Sequence, residues 1–182
     1  MTGSTLPAET LPPLTLVIGG ARSGKSRHAE GMILATGLPR LYIATAEAWD
    51  DEMRARIAQH QADRGANWQT VEAPHDLSKA LRAVPKGQAV LIDCVTLWLT
   101  NRMLAEADLA ADTTALLQAL ADCPAPVVVV TNELGWSIVP ENALARRFRD
   151  AQGRLNQRLA AQADRVVTVI AGLPLLLKDM AP

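Results

Sequence analysis

The sequence predicts an α/β domain of three layers, in which a mainly parallel sheet carries helices on both faces. Short β-type runs alternate with longer stretches of helical period, and several of the runs are apolar without a break, as strands buried on both faces must be. A glycine-rich octet also stands between the first run and the first helix.

The strands expected are "LTLVI" (14–18), "LYIAT" (41–45), "WQTVEA" (68–73), "AVLIDC" (89–94), "VVVVTN" (127–132) and "RVVTVIA" (165–171). Helical stretches separate most of them, which makes a layered α/β arrangement the economical one. The clearest helix is expected at about 141–163, after Pro140 and opening on Glu141. It carries Leu144, Phe148, Leu155 and Leu159 near one face. Arg146, Arg147, Arg149, Arg154 and Arg158 surround that stripe and read as a solvated face. Turns are marked by Gly65, by Pro85, Lys86 and Gly87, and by Pro124. Residues 1–13, "MTGSTLPAETLPP", have neither a basic n-region nor an apolar h-region and are expected to be a disordered tail. Residues 14–182 then form a single catalytic domain, long enough to bury a real core.

Composition narrows the partners. The chain has 182 residues, 49% hydrophobic and 20% charged, with a formal net charge of −1. No overall field draws it to polyanions. Aromatic residues make up only 3% of the chain, and no Lys/Arg run is interleaved with them, so nucleic acid is not an expected partner. No apolar stretch reaches the span of a membrane helix. Cys94 and Cys123 are far apart, without a CxxC, and read as reduced buried thiols; the expected setting is cytoplasmic.

Gly19, Gly20, Ala21, Arg22, Ser23, Gly24, Lys25 and Ser26 match G-x-x-x-x-G-K-[ST] at a strand-to-helix junction. Glycines let the backbone curl so that successive N–H groups point at phosphate oxygens, and the helix beginning near Lys25 adds the positive end of its dipole. Lys25 is then placed for the β and γ phosphates and Ser26 for Mg²⁺. With this motif the predicted class is the P-loop NTPase, RecA-like three-layer fold. A strand-terminal carboxylate is expected to join the metal, and Asp93 of "VLIDC" supplies one. The same residue could instead cap a helix beginning near Val95 or Thr96. Motors that handle DNA need contact loops and basic surface, and a GTPase switch needs N-K-x-D, for which "TNEL" at 131–134 does not serve. Small-molecule phosphotransfer is the class left.

Of the three histidines, His28 follows the octet within its helix and His75 sits in a loop after Pro74. His60 belongs to "DDEMRARIAQHQADRG" (50–65), where helical spacing aligns Met53, Ile57, His60 and Arg64 on one side. An imidazole with a guanidinium one turn away could attack phosphorus; a partly exposed helix histidine is the alternative.

The strings "GGARSGKSRHAE", "YIATAEAWDDEMRARIAQHQADRG", "TVEAP", "LIDCVTLWLTN", "VVVVTNELGWSIVPENALARRFRD" and "GRLNQRLAAQAD", in that order, resemble the bifunctional adenosylcobinamide kinase / adenosylcobinamide-phosphate guanylyltransferase family of cobalamin synthesis. The likeness runs from about residue 14 to 171. It implies a two-step enzyme that uses ATP or GTP to phosphorylate adenosylcobinamide and then carries GMP from GTP, on a histidine, to adenosylcobinamide phosphate. His60 matches that histidine. By the same resemblance the GTP contacts fall on the octet, on Ala44, Thr45 and Ala46, on Gln61, Ala62, Asp63 and Arg64, on Glu72 and on Asp93. Glu72 and Asp93 are both open as the carboxylate that reads guanine. A homo-oligomer, by resemblance a trimer, is implied as well.

Overall fold

The computed structural model of the chain describes residues 10–47, 51, 54, 55 and 67–180. In chain order its elements are β1 (Leu14–Gly19), α1 (Lys25–Ala35), β2 (Arg40–Ala44), β3 (Trp68–Glu72), α2 (Leu77–Arg82), β4 (Ala89–Asp93), α3 (Val95–Leu104), α4 (Leu109–Ala121), β5 (Val127–Asn132), α5 (Ala143–Gln162), β6 (Arg165–Ile170) and β7 (Leu173–Asp179). They build one seven-stranded sheet in the order β3-β2-β4-β5-β1-β6-β7, parallel throughout except for the antiparallel β6–β7 pair.

Two cores explain the unbroken apolar runs. Leu14, Leu16, Leu41, Ile43, Val90, Ile92, Val127 and Val129 face one side, where Leu77 and Leu81 of α2, Trp98 and Leu99 of α3, Leu116 of α4 and Leu155 and Leu159 of α5 cover them. The alternate residues Val17, Tyr42, Leu91, Val128, Val130, Val167 and Val169 face the other side, against Ala29 and Ile33 of α1. Each such side chain is worth roughly 1.5–3 kcal/mol on burial, so a polar residue at either parity would be expensive. The sheet therefore tolerates no period-two pattern in its central strands.

Helix starts follow local chemistry. Asn142 caps α5 by accepting from Leu144 N (2.7 Å) and Ala145 N (3.3 Å), which moves the start past the expected Glu141. Asp108 caps α4 in the same way. Leu155 and Leu159 are buried and Phe148 packs on the core, but Leu144, in the first turn of α5, is 47% exposed. Arg147, Arg154 and Arg158 are exposed, as expected of a solvated face, whereas Arg146 and Arg149 are half-buried and Arg146 donates to the carbonyls of Pro140 and Glu141.

β7, "LPLLLKD", is a strand that the alternation reading did not include. Ala171 and Gly172, with φ of 51° and 82°, turn the chain back on itself as the mirror-image two-residue hairpin requires. Lys178 Nζ donates to the carbonyls of Ala160 and Ala161 near the end of α5, and Asp179 pairs with Arg165. The leucines of β7 are exposed. Among the described residues no helix is long and apolar enough to cross a membrane.

Candidate nucleotide site

The octet follows the carboxyl end of β1, an inner strand between β5 and β6. β1 ends at Gly19 and α1 begins at Lys25, with Gly24 at its N-cap in a left-handed conformation (φ 93°) that a side chain would strain. A Cβ on Gly24 would also come within 3.2 Å of Gly172, and one on Gly19 within 2.6 Å of both Ser23 Oγ and the Val169 carbonyl. Both glycines are thus required by close approach. The loop is closed by Ser23 N donating to the Gly20 carbonyl (3.2 Å), and its outer wall is tied to the β6–β7 turn by Gly172 N donating to the Ser23 carbonyl (2.8 Å).

Lys25 is 8% exposed and its Nζ donates to the Gly20 carbonyl at 3.1 Å, which folds the ammonium over the concavity of the loop. No side chain caps α1, so its first-turn amides face that concavity. Ser26 stands in the first turn of α1, and the buried Ser23 hydroxyl has no protein partner. The octet therefore has the shape that holds a polyphosphate.

Three of the sequence-predicted residues meet in one row. Ala44 of β2 is the register partner of Glu72 on β3 and of Asp93 on β4, so a carboxylate flanks Ala44 on each side at the carboxyl edge of the sheet. Glu72 is exposed; Asp93 is half-buried and accepts from the Tyr42 hydroxyl (3.2 Å). The helix after β4 takes Cys94 as its N-cap residue, with no side-chain cap, so Asp93 is not a helix cap. Burial, followed by the charge of Asp93, pushes the Cys94 thiol up to about 11, while Lys25 pulls the other way, so both charges act on one sulfur. Thr45 is buried and spends its hydroxyl on the Cys94 carbonyl (2.7 Å); Ala46 is half-buried. His60, Gln61, Ala62, Asp63, Arg64 and Gly65 lie outside the described residues.

His75 is not isolated: its Nε2 lies 2.9 Å from Glu47 Oε1, which joins the loops after β2 and β3. Cys94 is buried and Cys123 half-buried, both as free thiols.

The structure adds residues that motif reading did not assign. β5 lies between β1 and β4, so Asn132 is the register partner of Gly19, and Glu133 N donates to the Gly19 carbonyl (3.1 Å). A buried polar chain holds that strand end. Thr131 Oγ1 donates to Asn156 Oδ1 (2.7 Å), Gln152 Nε2 to both, Asn156 Nδ2 to the Asn132 carbonyl (3.0 Å), and Asn132 N to Thr96 Oγ1 (2.9 Å). The visible signal was the spacing of Gln152 and Asn156, one turn apart on the face of α5 that also carries Leu155 and Leu159.

The sequence matches, over residues 15–177, the family described as cobinamide kinase / cobinamide phosphate guanyltransferase. The chain belongs to this family. The bifunctional adenosylcobalamin biosynthesis protein CobP of Pseudomonas aeruginosa is 46% identical over 166 residues, which cover 90% of this chain and 96% of that protein. The relative of the same description from Salmonella typhimurium, CobU, is also 46% identical, over 91% of this chain and 99% of its own length. At the level of fold, the RadB recombinase superposes with a TM-score of 0.51 at 20% identity, covering 87% of this chain and 74% of that one. A Pyrococcus horikoshii protein, PH0250, reaches a TM-score of 0.55 at 5% identity, covering 96% and 90%. The fold is that of the P-loop NTPases, and family and fold together make the chain a nucleotide-binding enzyme of cobalamin synthesis with kinase and guanylyltransferase activities.

Proposed function

We propose that the chain works by two transfers at the one phosphate loop. In the first, the terminal phosphoryl group of ATP or GTP passes to the hydroxyl of adenosylcobinamide. In the second, the lone pair of a His60 ring nitrogen attacks the α-phosphorus of GTP, a P–N bond forms, and the P–O bond to pyrophosphate breaks. A phosphate oxygen of adenosylcobinamide phosphate then attacks the same phosphorus, giving adenosylcobinamide-GDP and returning the imidazole. A neutral imidazole is a competent nucleophile near pH 7.

The observation that carries this reading is the row Glu72–Ala44–Asp93, which ends β3, β2 and β4, with β5 between it and the octet at the end of β1. It gives a guanosine two carboxylates and a strand edge on the β4-β2-β3 side of the loop. Glu72, the exposed member, takes the guanine N1–H and amine. Asp93, whose charge and that of Lys25 act on the same thiol, serves the phosphate end. Ala44, Thr45 and Ala46 line the nucleoside, as do Gln61, Ala62, Asp63 and Arg64 after the nucleophile.

The donor set of the Ser26 hydroxyl and the Asp93 carboxylate suits Mg²⁺, a hard cation that keeps waters and phosphate oxygens as its other ligands. Among the described residues there is no group of three or more His, Cys, Asp or Glu that could hold a metal by itself. Bound there, Mg²⁺ would neutralise phosphate charge. Residues 14–182 act as one catalytic domain in the cytoplasm, as a homo-oligomer.

Covalent labelling tests the reading. With α-labelled GTP the wild type should keep label through denaturation, in an acid-labile, base-stable bond whose formation falls as pH is lowered and the imidazole protonates. His60→Ala should lose the label and guanylyl transfer but retain nucleotide binding and at least part of the kinase step, whereas His28→Ala and His75→Ala should still label. Wild-type labelling of His60→Ala would place the nucleophile elsewhere.

A further inference from the structure

The segment that joins β5 to α5 belongs to the carboxyl edge of the sheet, yet the nucleotide reading makes no use of it. It starts at the octet, since Glu133 N donates to the Gly19 carbonyl. Within four positions it turns three large apolar side chains to solvent: Trp136 is 80% exposed, Ile138 92% and Val139 62%. Residues of these types are ordinarily buried, and a run of them left in water marks a binding surface. Contacts of its own brace the segment. Gly135 N donates to Glu133 Oε1 (2.6 Å), Ser137 Oγ to the Leu134 carbonyl (3.3 Å), and Arg146 of α5 to the carbonyls of Pro140 and Glu141. The apolar shelf is thus held out from both ends.

At its inner end stands Asn132. β5 lies between β1, which leads into the octet, and β4, which ends in Asp93. Asn132 is level with Gly19 and shares the parity of Val128 and Val130, so its side chain emerges on the face of the sheet that carries α1 and Lys25. Both of its backbone groups are fixed, the N–H on Thr96 Oγ1 and the carbonyl by Asn156 Nδ2, but among the described residues nothing pairs with its carboxamide. A half-buried amide with a clamped main chain and an unpaired side chain is set for a ligand group.

Resting on the two transfers set out under Proposed function, we propose that this segment is the acceptor site. Asn132 holds the reacting oxygen of adenosylcobinamide, and Trp136, Ile138 and Val139 support its corrin ring. The occupant follows from continuity and from chemistry. The group that receives a phosphoryl must come up to the terminal phosphate between Lys25 and Asp93, and Asn132 stands between the octet and the strand of Asp93. A corrinoid is broad, with methyl groups and carboxamide arms around one ring, so it needs an apolar support with polar backbone beside it. Asparagine suits both steps because it offers an acceptor and two donors. Its Oδ1 accepts from the acceptor hydroxyl in the first step, and its Nδ2 donates to the phosphate on that same arm in the second. The amide exchanges no proton; it binds and orients.

Trp136→Ala combined with Ile138→Ser removes the shelf at two exposed positions, so melting should match wild type. The expected result is a rise of at least tenfold in KM for adenosylcobinamide and for its phosphate. Nucleotide KM, labelling by α-labelled GTP and elution on size exclusion should stay at the wild-type level. An unchanged acceptor KM overturns the proposal, as does elution as a smaller species, because the shelf would then be covered by a second copy. Asn132→Asp keeps the size and the backbone clamp but sets a carboxylate where the amide donor stood. By repulsion it should weaken adenosylcobinamide phosphate at least tenfold more than adenosylcobinamide. Equal weakening overturns the role of Asn132. Hydrogen exchange of the wild type with adenosylcobinamide, without nucleotide, depends on no variant. Slowed exchange within residues 133–139 supports the site, and slowing confined to other segments overturns it. A wild type that shows this protection but takes no label from GTP would contradict the guanylyl reading and leave the acceptor site standing.

Discussion

The side-chain amide of Asn101 donates to the carbonyl of Thr45 at 2.9 Å, and the same nitrogen donates to the Pro74 carbonyl at 3.0 Å. One buried residue of α3 thus holds the loops that leave β2 and β3, the strands that carry Ala44 and Glu72. Asn101→Leu keeps the volume but orphans both carbonyls, at roughly 1–3 kcal/mol for each buried group left unpaired. Denaturant unfolding should show that loss, and KM for GTP should rise while tripolyphosphate binding at the octet is kept. Unaltered GTP affinity would mean that the ends of β2 and β3 do not line the nucleoside.

Lys25→Ala should lower both activities by at least ~10²-fold, since its charge is used in the kinase step and in seating GTP for the second. Steady-state assays of each half-reaction decide it. Near-normal turnover in either one removes that half-reaction from the octet.

Glu72→Gln should weaken GTP more than ATP. The amide keeps one acceptor but turns a donor toward the donors of guanine. Glu72 is exposed on the edge strand, so the fold should be unaffected and melting should match wild type. Equal weakening of the two nucleotides would move base recognition to Asp93 or to backbone.

Cys94 should resist alkylation. Only the thiolate reacts, and with the thiol held near 11 rather than at 9.0, roughly one group in a thousand is ionised at pH 8. The linked effect on stability has a definite sign. The native state holds this proton more tightly than the unfolded chain, so the contribution is complete below pH 9 and is lost as pH rises through 9 toward 11. Iodoacetamide at pH 8 with mass spectrometry should find native Cys94 unmodified, and unfolding midpoints should fall over that alkaline window. Rapid modification of Cys94 in the native protein contradicts the burial that raises it.

Much of this was legible because the central strands are buried on both faces. Val127 to Val130 alternate between two cores, so their run had to be apolar throughout, and the octet declared its own place at a strand end. β7 was not legible by the same logic. Its leucines lie exposed, so no burial pattern distinguishes it, and Pro174 reads as a breaker. The placement of Asn132 beside Gly19 was hidden for another reason. Strand order is a long-range property, and nothing local in "VVVVTN" says that it inserts between β1 and β4. Helix ends were legible to within a residue or two where a capping side chain stood, as at Asn142.

Pro174 has a consequence for how the molecule meets its own copies. In the β6–β7 hairpin it lies opposite Val169, one step beyond the Ile170–Leu173 pair that closes the two-residue turn, so its backbone faces outward along the free edge. A strand as apolar as β7, open on one side, is the kind of template on which sheets grow from molecule to molecule. Proline has no N–H to offer, so the outward row of donors is broken near its start. Recruitment of a second sheet edge is thereby disfavoured, and whatever covers Leu173, Leu175 and Leu177 is steered toward side-chain packing rather than continued strand pairing. Pro174 gives this edge a guard against fibrous self-association.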